Sequence, residues 1–190
     1  MRQKNSSRGK GILFILLAAF FFSMMSVFVR LSGNVPTMQK AFFRNIVAAF
    51  VAAVLLVRSG EKIAIRKESL SSLFMRSIFG TAGILANFWA VDHLGIADAN
   101  MLNKLSPFFA ILMSVFILKE IPNRIEWLSV LLAFIGAAFV AKPSTGIISI
   151  PALIGIFGGF AAGTAYTFVR KLGLQGVRGP LVVTFFSSFS

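Results

Sequence analysis

The sequence predicts an all-α integral membrane protein: a multi-spanning helical bundle of inverted five-helix repeat architecture, with six full helices and part of a seventh present. Three observations predict it. First, 57% of the 190 residues are hydrophobic and mean hydropathy is +0.85, more apolar side chain than a soluble surface can hide. Second, several apolar segments approach or exceed the roughly 18 to 20 residues that cross a ~30 Å hydrocarbon layer. Third, Lys and Arg alternate between the connections: thirteen lie in one set and two, Lys40 and Lys142, in the other.

The first segment, Gly11–Leu31, follows a basic tail over residues 1–10. A basic start and an apolar core resemble a secretory leader. The apolar run continues to Leu31 without a small-x-small cleavage site, which predicts a retained first helix. Breaks at Gly, Pro and charged clusters then delimit Lys40–Val57, Ser69–Val91, Ile96–Leu118, Glu126–Ala141 and Pro151–Val169, and a remainder begins near Gly179. Strands are excluded, because an open sheet leaves its edges unsatisfied in lipid and these segments are too long for barrel strands.

The basic set comprises Arg2, Lys4, Arg8 and Lys10, then Arg58, Lys62, Arg66 and Lys67, then Lys119 and Arg124, then Arg170, Lys171 and Arg178. The positive-inside rule places these connections, and the N-terminus, in the cytoplasm; a multi-pass protein of a bacterial-type cell membrane is expected. The net charge of +13 is thus scattered as membrane topology requires, and nucleic acid is not an expected partner. The absence of cysteine excludes disulfides, thiolate metal sites and cysteine nucleophiles.

Sliding the chain by 140 residues lays "AAFFFSMMSVFVRL" on "GGFAAGTAYTFVRK", aligning Phe28-Val29-Arg30 with Phe168-Val169-Arg170. An odd number of segments separates the copies, so the second is inverted in the membrane, as in many secondary transporters. Residues 11–142 form one five-helix repeat and 151–190 the beginning of a second, incomplete one. The last stretch, "GPLVVTFFSSFS", reaches only about 18 Å as a helix, short of a crossing. A truncated product lacking its second half is expected.

The segment "GIADANMLNKLSPFFAILMSVFILKE", followed by "EWLSVLLAFIGAAFVAKP", resembles the EamA-type repeat of the drug/metabolite transporter superfamily. The features that carry the resemblance are Ser106-Pro107, the closing Glu120, then Trp127 and Gly136, together with "FFRNIVAAF" and its Arg44. It implies ten helices in two inverted repeats that move small metabolites across the cytoplasmic membrane, without a cofactor.

Asn100, Asn103, Lys104 and Pro107 follow i, i+3, i+4, i+7 spacing and share one stripe of the fourth segment. Lys104 lies roughly 10 Å deep, where a charge costs about 2.5 to 3.5 kcal/mol. The stripe is therefore expected to face a wet cavity, with Lys104 attracting an anion and the two amides bonding its polar groups. Pro107 frees a backbone carbonyl near Asn103 and opens the helix there. The alternatives are that Lys104 snorkels outward or pairs with Asp98.

On the third segment Arg76, Gly80, Gly83 and Asn87 form a second stripe. The glycines are expected as packing contacts, Asn87 as a further cavity group, and Arg76 as a snorkelling residue or a partner of Glu120, with ligand binding as its alternative. Arg30, Arg44, Asp92 and Asp98 lie at one level near the outer ends, where they are expected to form gating ion pairs; the alternatives are interface anchoring and helix capping by Asp98. Gly155, Gly159 and Gly163 repeat every four residues, a packing face directed at the first repeat.

These readings point to a secondary transporter of a small polar, anionic or zwitterionic metabolite, working by alternating access in the lipid bilayer. No phosphate-binding loop supplies nucleotide drive. One histidine and carboxylates confined to segment ends do not make an enzyme or a metal site. The alternative is a non-transporting assembly subunit or half-transporter remnant, completed by a homodimer or a second repeat.

Overall fold

In a computed structural model, residues 2–58, 67–140 and 149–190 are described. Lys62, Arg66 and Lys142 of the charge count, and the end of the fifth segment at Ala141, lie outside them. The described residues form eight helices: α1 (Arg2–Leu31), α2 (Thr37–Arg58), α3 (Lys67–Leu94), α4 (Ile96–Asn103), α5 (Ser106–Ile117), α6 (Arg124–Val140), α7 (Ile150–Leu174) and α8 (Gly179–Phe189). Five spans are long and apolar enough to cross a membrane: Ile12–Leu31, α2, α3, α4–α5 taken together, and α7. The protein is an all-α membrane bundle.

Two elements differ from expectation. Helix α1 runs back to Arg2, through the residues assigned to a tail. The fourth segment is two helices, α4 and α5, joined by Lys104 and Leu105. Pro107 has no amide hydrogen to give the Asn103 carbonyl. The chain tightens there instead: Lys104 N–H reaches the Met101 carbonyl at 3.1 Å and Leu105 N–H the Leu102 carbonyl at 3.1 Å. Both junction residues keep right-handed helical dihedrals, so the span jogs without folding back.

Local chemistry explains the other boundaries. The N-terminus of α6 is a capping box: Asn123 Oδ1 accepts from the Glu126 amide at 2.8 Å, and Glu126 Oε2 accepts from the Asn123 amide at 2.7 Å. Ser149 caps α7 by accepting from the Ala152 amide at 3.3 Å, with Pro151 in the first turn. Gly176, at φ +79°, ends α7 while the Val177 amide reaches back to the Leu172 carbonyl at 2.9 Å. At the end of α5 the same left-handed position falls on Lys119, at φ 58°, and the Glu120 amide turns back to the Ser114 carbonyl at 3.4 Å. A side chain is disfavoured there. Lys119→Gly is expected to raise thermal stability in detergent by about 0.5 to 1 kcal/mol; a lower melting temperature would show that the lysine side chain outweighs its backbone cost.

Helix α7 is the centre of the bundle, with 50% of its span buried against 11% for α1. Between helices in lipid the attraction is packing, which small residues permit. On one face of α7, Gly158 and Ala162 meet α3 at Ala86 and Gly83. On the other, Gly155 and Gly159 meet Leu102 of α4, and Gly163 meets Ser106, Phe109 and Ala110 of α5. The four-residue glycine repeat is thus a packing face against the earlier helices.

These contacts give the directions. Along α3 the partner numbers on α7 fall, so the two are antiparallel; along α4–α5 they rise, so these run parallel to α7. The last turn of α1 meets the last turn of α3, where Arg30 donates to the carbonyls of Val91 and Asp92 at 3.0 and 2.6 Å. Helix α1 is therefore parallel to α3 and opposed to α7. Helix α8 follows α3 upward: Val182 clusters with Leu73, and Phe186 with Arg76.

Candidate functional site

Polar groups gather in three places. At the end of the bundle holding the α1–α2 turn, Lys40 Nζ donates to both oxygens of Asp92 at 2.8 and 2.9 Å and to the Gly33 carbonyl at 3.2 Å. The lysine side chain is only 3% exposed. Arg30 adds its charge to the C-terminal carbonyls of α3, where the helix dipole favours a cation. Of the level expected to gate, Asp92 and Arg30 participate. Asp98 lies half-buried in the first turn of α4, whose cap position is Gly95 and carries no side-chain cap; Asp98 is not the N-cap.

At the other end, which carries Lys119, Arg124 and Arg170, a cavity of about 560 Å³ opens between α5, the start of α6 and α7. Pro107, Ser114, Glu120, Glu126, Tyr166 and Arg170 are among its lining residues. Glu120 pairs with Arg170 at 2.7 Å and not with Arg76. Both side chains are well exposed, 38% and 61%, so the pair contributes at most about 1 kcal/mol. It bridges the mouth of the cavity without fixing it.

The third place is the interior of the bundle. Arg76, on α3, turns inward: its guanidinium lies over the Phe186 ring of α8 at 4.1 Å, and its Nε and Nη1 are enclosed without a hydrogen-bond partner. Gly80, expected as a packing contact, meets Phe186 of α8 and also provides the seat. A Cβ there would overlap Arg76 Nη1 and stand 2.8 Å from Phe186 Cε2. Arg44, on α2, donates to Asn45 Oδ1 at 2.7 Å, and Asn45 donates to Ser190 Oγ of the α8 end at 2.8 Å. Among the described residues no carboxylate lies within ion-pairing distance of either arginine. The cation–π contact is worth about 2 kcal/mol when desolvated, less than the roughly 2.5 to 3.5 kcal/mol that a deep arginine costs.

The first stripe is dispersed. Asn100 Oδ1 accepts from Ser26 Oγ of α1 at 3.2 Å. Asn103 is half-buried, and Lys104 is exposed at the α4–α5 junction with no ion pair. Pro107 reaches the cavity wall. Asn87 is buried on α3 beside α7, its Oδ1 without a partner. Sequence reasoning missed Lys40 and Arg170 as members of these clusters. For Lys40 a signal existed: it is a basic residue on the side of the membrane that the charge count leaves almost bare.

Comparison with known proteins accords with this architecture. The chain is 32% identical over 165 residues to the pseudopaline exporter CntI of Pseudomonas aeruginosa, covering 85% of this chain and 57% of the relative. It is 26% identical over 167 residues to an uncharacterized transporter of Helicobacter pylori, covering 85% and 55%. It is 25% identical over 142 residues to solute carrier family 35 member G1 of Mus musculus, covering 75% and 39%. The chain thus spans little more than half the length of the bacterial relatives. No solved structure matches it significantly. The model of the EamA-like transporter family matches residues 9–142, across the helices that build all three polar clusters apart from α7 and α8, and the chain belongs to that family.

Proposed function

We propose that the protein is a secondary transporter that moves a small polar metabolite across the cytoplasmic membrane by alternating access, with its N-terminus in the cytoplasm. The observation that carries this reading is the asymmetry of the two ends. One is tied shut by the buried Lys40–Asp92 pair and by Arg30. The other opens into a cavity of about 560 Å³ with charged and hydroxyl groups on its wall, within the ~300 to 1,000 Å³ usual for small-molecule sites. The opposed courses of α1 and α7 support the inverted repeat that such carriers use, with residues 11–142 as the first copy and 151–190 as the start of the second. Asn87, Asn100, Asn103, Lys104 and Pro107 supply polar groups along the path. The exposed Glu120–Arg170 pair, already formed across the open mouth, is weak enough to break and re-form as access switches. The name of the Pseudomonas relative makes export the direction to test first.

The chain contains no cysteine, so single introduced cysteines report access directly. Ile111→Cys, on the cavity wall, is expected to react with a membrane-impermeant maleimide applied from the cytoplasmic side only. Proteoliposomes are expected to exchange at least one labelled solute, from a panel of amino acids, organic acids and sugars, in a saturable manner. Labelling from the opposite side alone would reverse the orientation. An absence of saturable exchange would favour a non-transporting assembly subunit.

A further inference from the structure

The interior arginines do something that the cavity does not explain. Arg44 lies about 10 Å past the start of α2, and Arg76 about 14 Å past the start of an α3 that is about 42 Å long. Neither snorkels. Arg76 folds inward over Phe186, on a seat that Gly80 leaves open. The Arg44 side chain is linked through Asn45 to Ser190. Phe186 and Ser190 are one helical turn apart on α8, about 6 Å along the axis. Arg76 thus lies directly on this face of α8, and Arg44 reaches it through Asn45.

Two guanidiniums so placed repel each other. Of the described carboxylates, Asp92 and Glu120 are engaged by Lys40 and Arg170, Glu126 by its capping box, and Glu68 and Asp98 stand in the first turns of α3 and α4. Among the described residues, neither arginine has a carboxylate partner. Such an arrangement is tolerated when a ligand brings the missing charge, and the planar guanidinium fork suits carboxylate and phosphate oxygens.

We propose that Arg44 and Arg76 form a recognition site for an anionic group, a carboxylate or phosphate, carried by a small solute. The inference rests on the transport reading for its physiological meaning, but the anion site is testable by binding alone. It assigns anion recognition to these half-buried arginines, while Lys104 stands exposed at the helix junction.

The test is thermal unfolding of the full chain in nanodiscs of neutral phosphatidylcholine. It is titrated with succinate, citrate and inorganic phosphate, and with dimethyl succinate as the uncharged match. At least one anion is expected to raise the melting temperature, and dimethyl succinate to leave it unchanged. Arg76→Gln and Arg44→Gln are each expected to weaken apparent anion affinity by at least about tenfold. Arg58→Gln, at the far end of α2, is expected to leave it unchanged.

Without anion, Arg76→Gln is expected to melt higher than the parent, because it removes an uncompensated charge. A structural arginine would show the opposite sign. Gly80→Ala retains the charge but displaces the guanidinium, and is expected to lose anion response with the fold intact. The proposal is overturned if no anion stabilises the parent, if the stabilisation survives in both glutamine variants, or if only added anionic phosphatidylglycerol stabilises, which would assign the site to lipid headgroups. Saturable exchange of neutral or cationic solutes without an arginine-dependent anion response would overturn the site and keep the transporter. Arginine-dependent anion binding without any exchange would keep the site and remove the transporter.

Discussion

Asp92→Ala is expected to destabilise the bundle by about 3 to 5 kcal/mol, measured by thermal or denaturant unfolding in detergent. The carboxylate accepts twice from Lys40 Nζ, whose only other acceptor among the described residues is the Gly33 carbonyl. With Asp92 gone the ammonium is left buried, unneutralised and short of a hydrogen bond, and the full desolvation cost falls on the fold. The comparison that isolates the cause is the exposed Glu120–Arg170 pair. Its loss should cost at most about 1 kcal/mol, because water solvates both partners once they separate. Lys40→Met combined with Asp92→Leu should recover most of the Asp92→Ala loss, since an apolar pair of similar volume removes both charges together. If Asp92→Ala melted with the parent, the pair would not hold this end shut, and the asymmetry behind the transport reading would lose half its support.

Gly163→Ala is the second large effect. A methyl at this position would stand 2.5 Å from the Ser106 carbonyl oxygen, 2.7 Å from Phe109 Cβ and 2.9 Å from the Ala110 nitrogen. Two of those atoms are backbone, and no rotamer change can clear them. Helix α5 must move away from α7, at a cost of about 1 to 3 kcal/mol. The movement also disturbs the cavity these helices line, so labelling of Ile111→Cys should change with it. Gly136→Ala is the control: on α6 nothing lies within 4 Å of the added carbon, and the better helix propensity of alanine should stabilise by up to about 1 kcal/mol. Equal melting of the two variants would mean that α5 and α7 do not approach as closely as described here.

Much of the bundle was legible in the chain. The positions of the apolar segments follow from hydropathy, because a span must be apolar wherever it lies. Pro107 announced the break in the fourth segment, since a missing amide hydrogen is a local fact. The glycine repeat of α7 announced a packing face, because backbone approach requires the absence of side chains on one side of a helix.

Partnerships were not legible. Lys40 and Asp92 are 52 residues apart in sequence, and Glu120 chose Arg170 over Arg76. Each carboxylate had several cations at similar depth, and only the crossing of helices decided which one it meets. The stripe from Asn100 to Pro107 was coherent on paper and dispersed in space, because the jog at Lys104 and Leu105 turns α5 relative to α4. Arg44 and Arg76, remote from each other along the chain, come to one face of α8 only because α2 and α3 both pack against it. Sequence by itself determined what must lie in lipid, since transfer into hydrocarbon acts on each segment alone. Tertiary structure decided which charges were neutralised and which were left waiting, since that depends on distances between segments that no single helix carries.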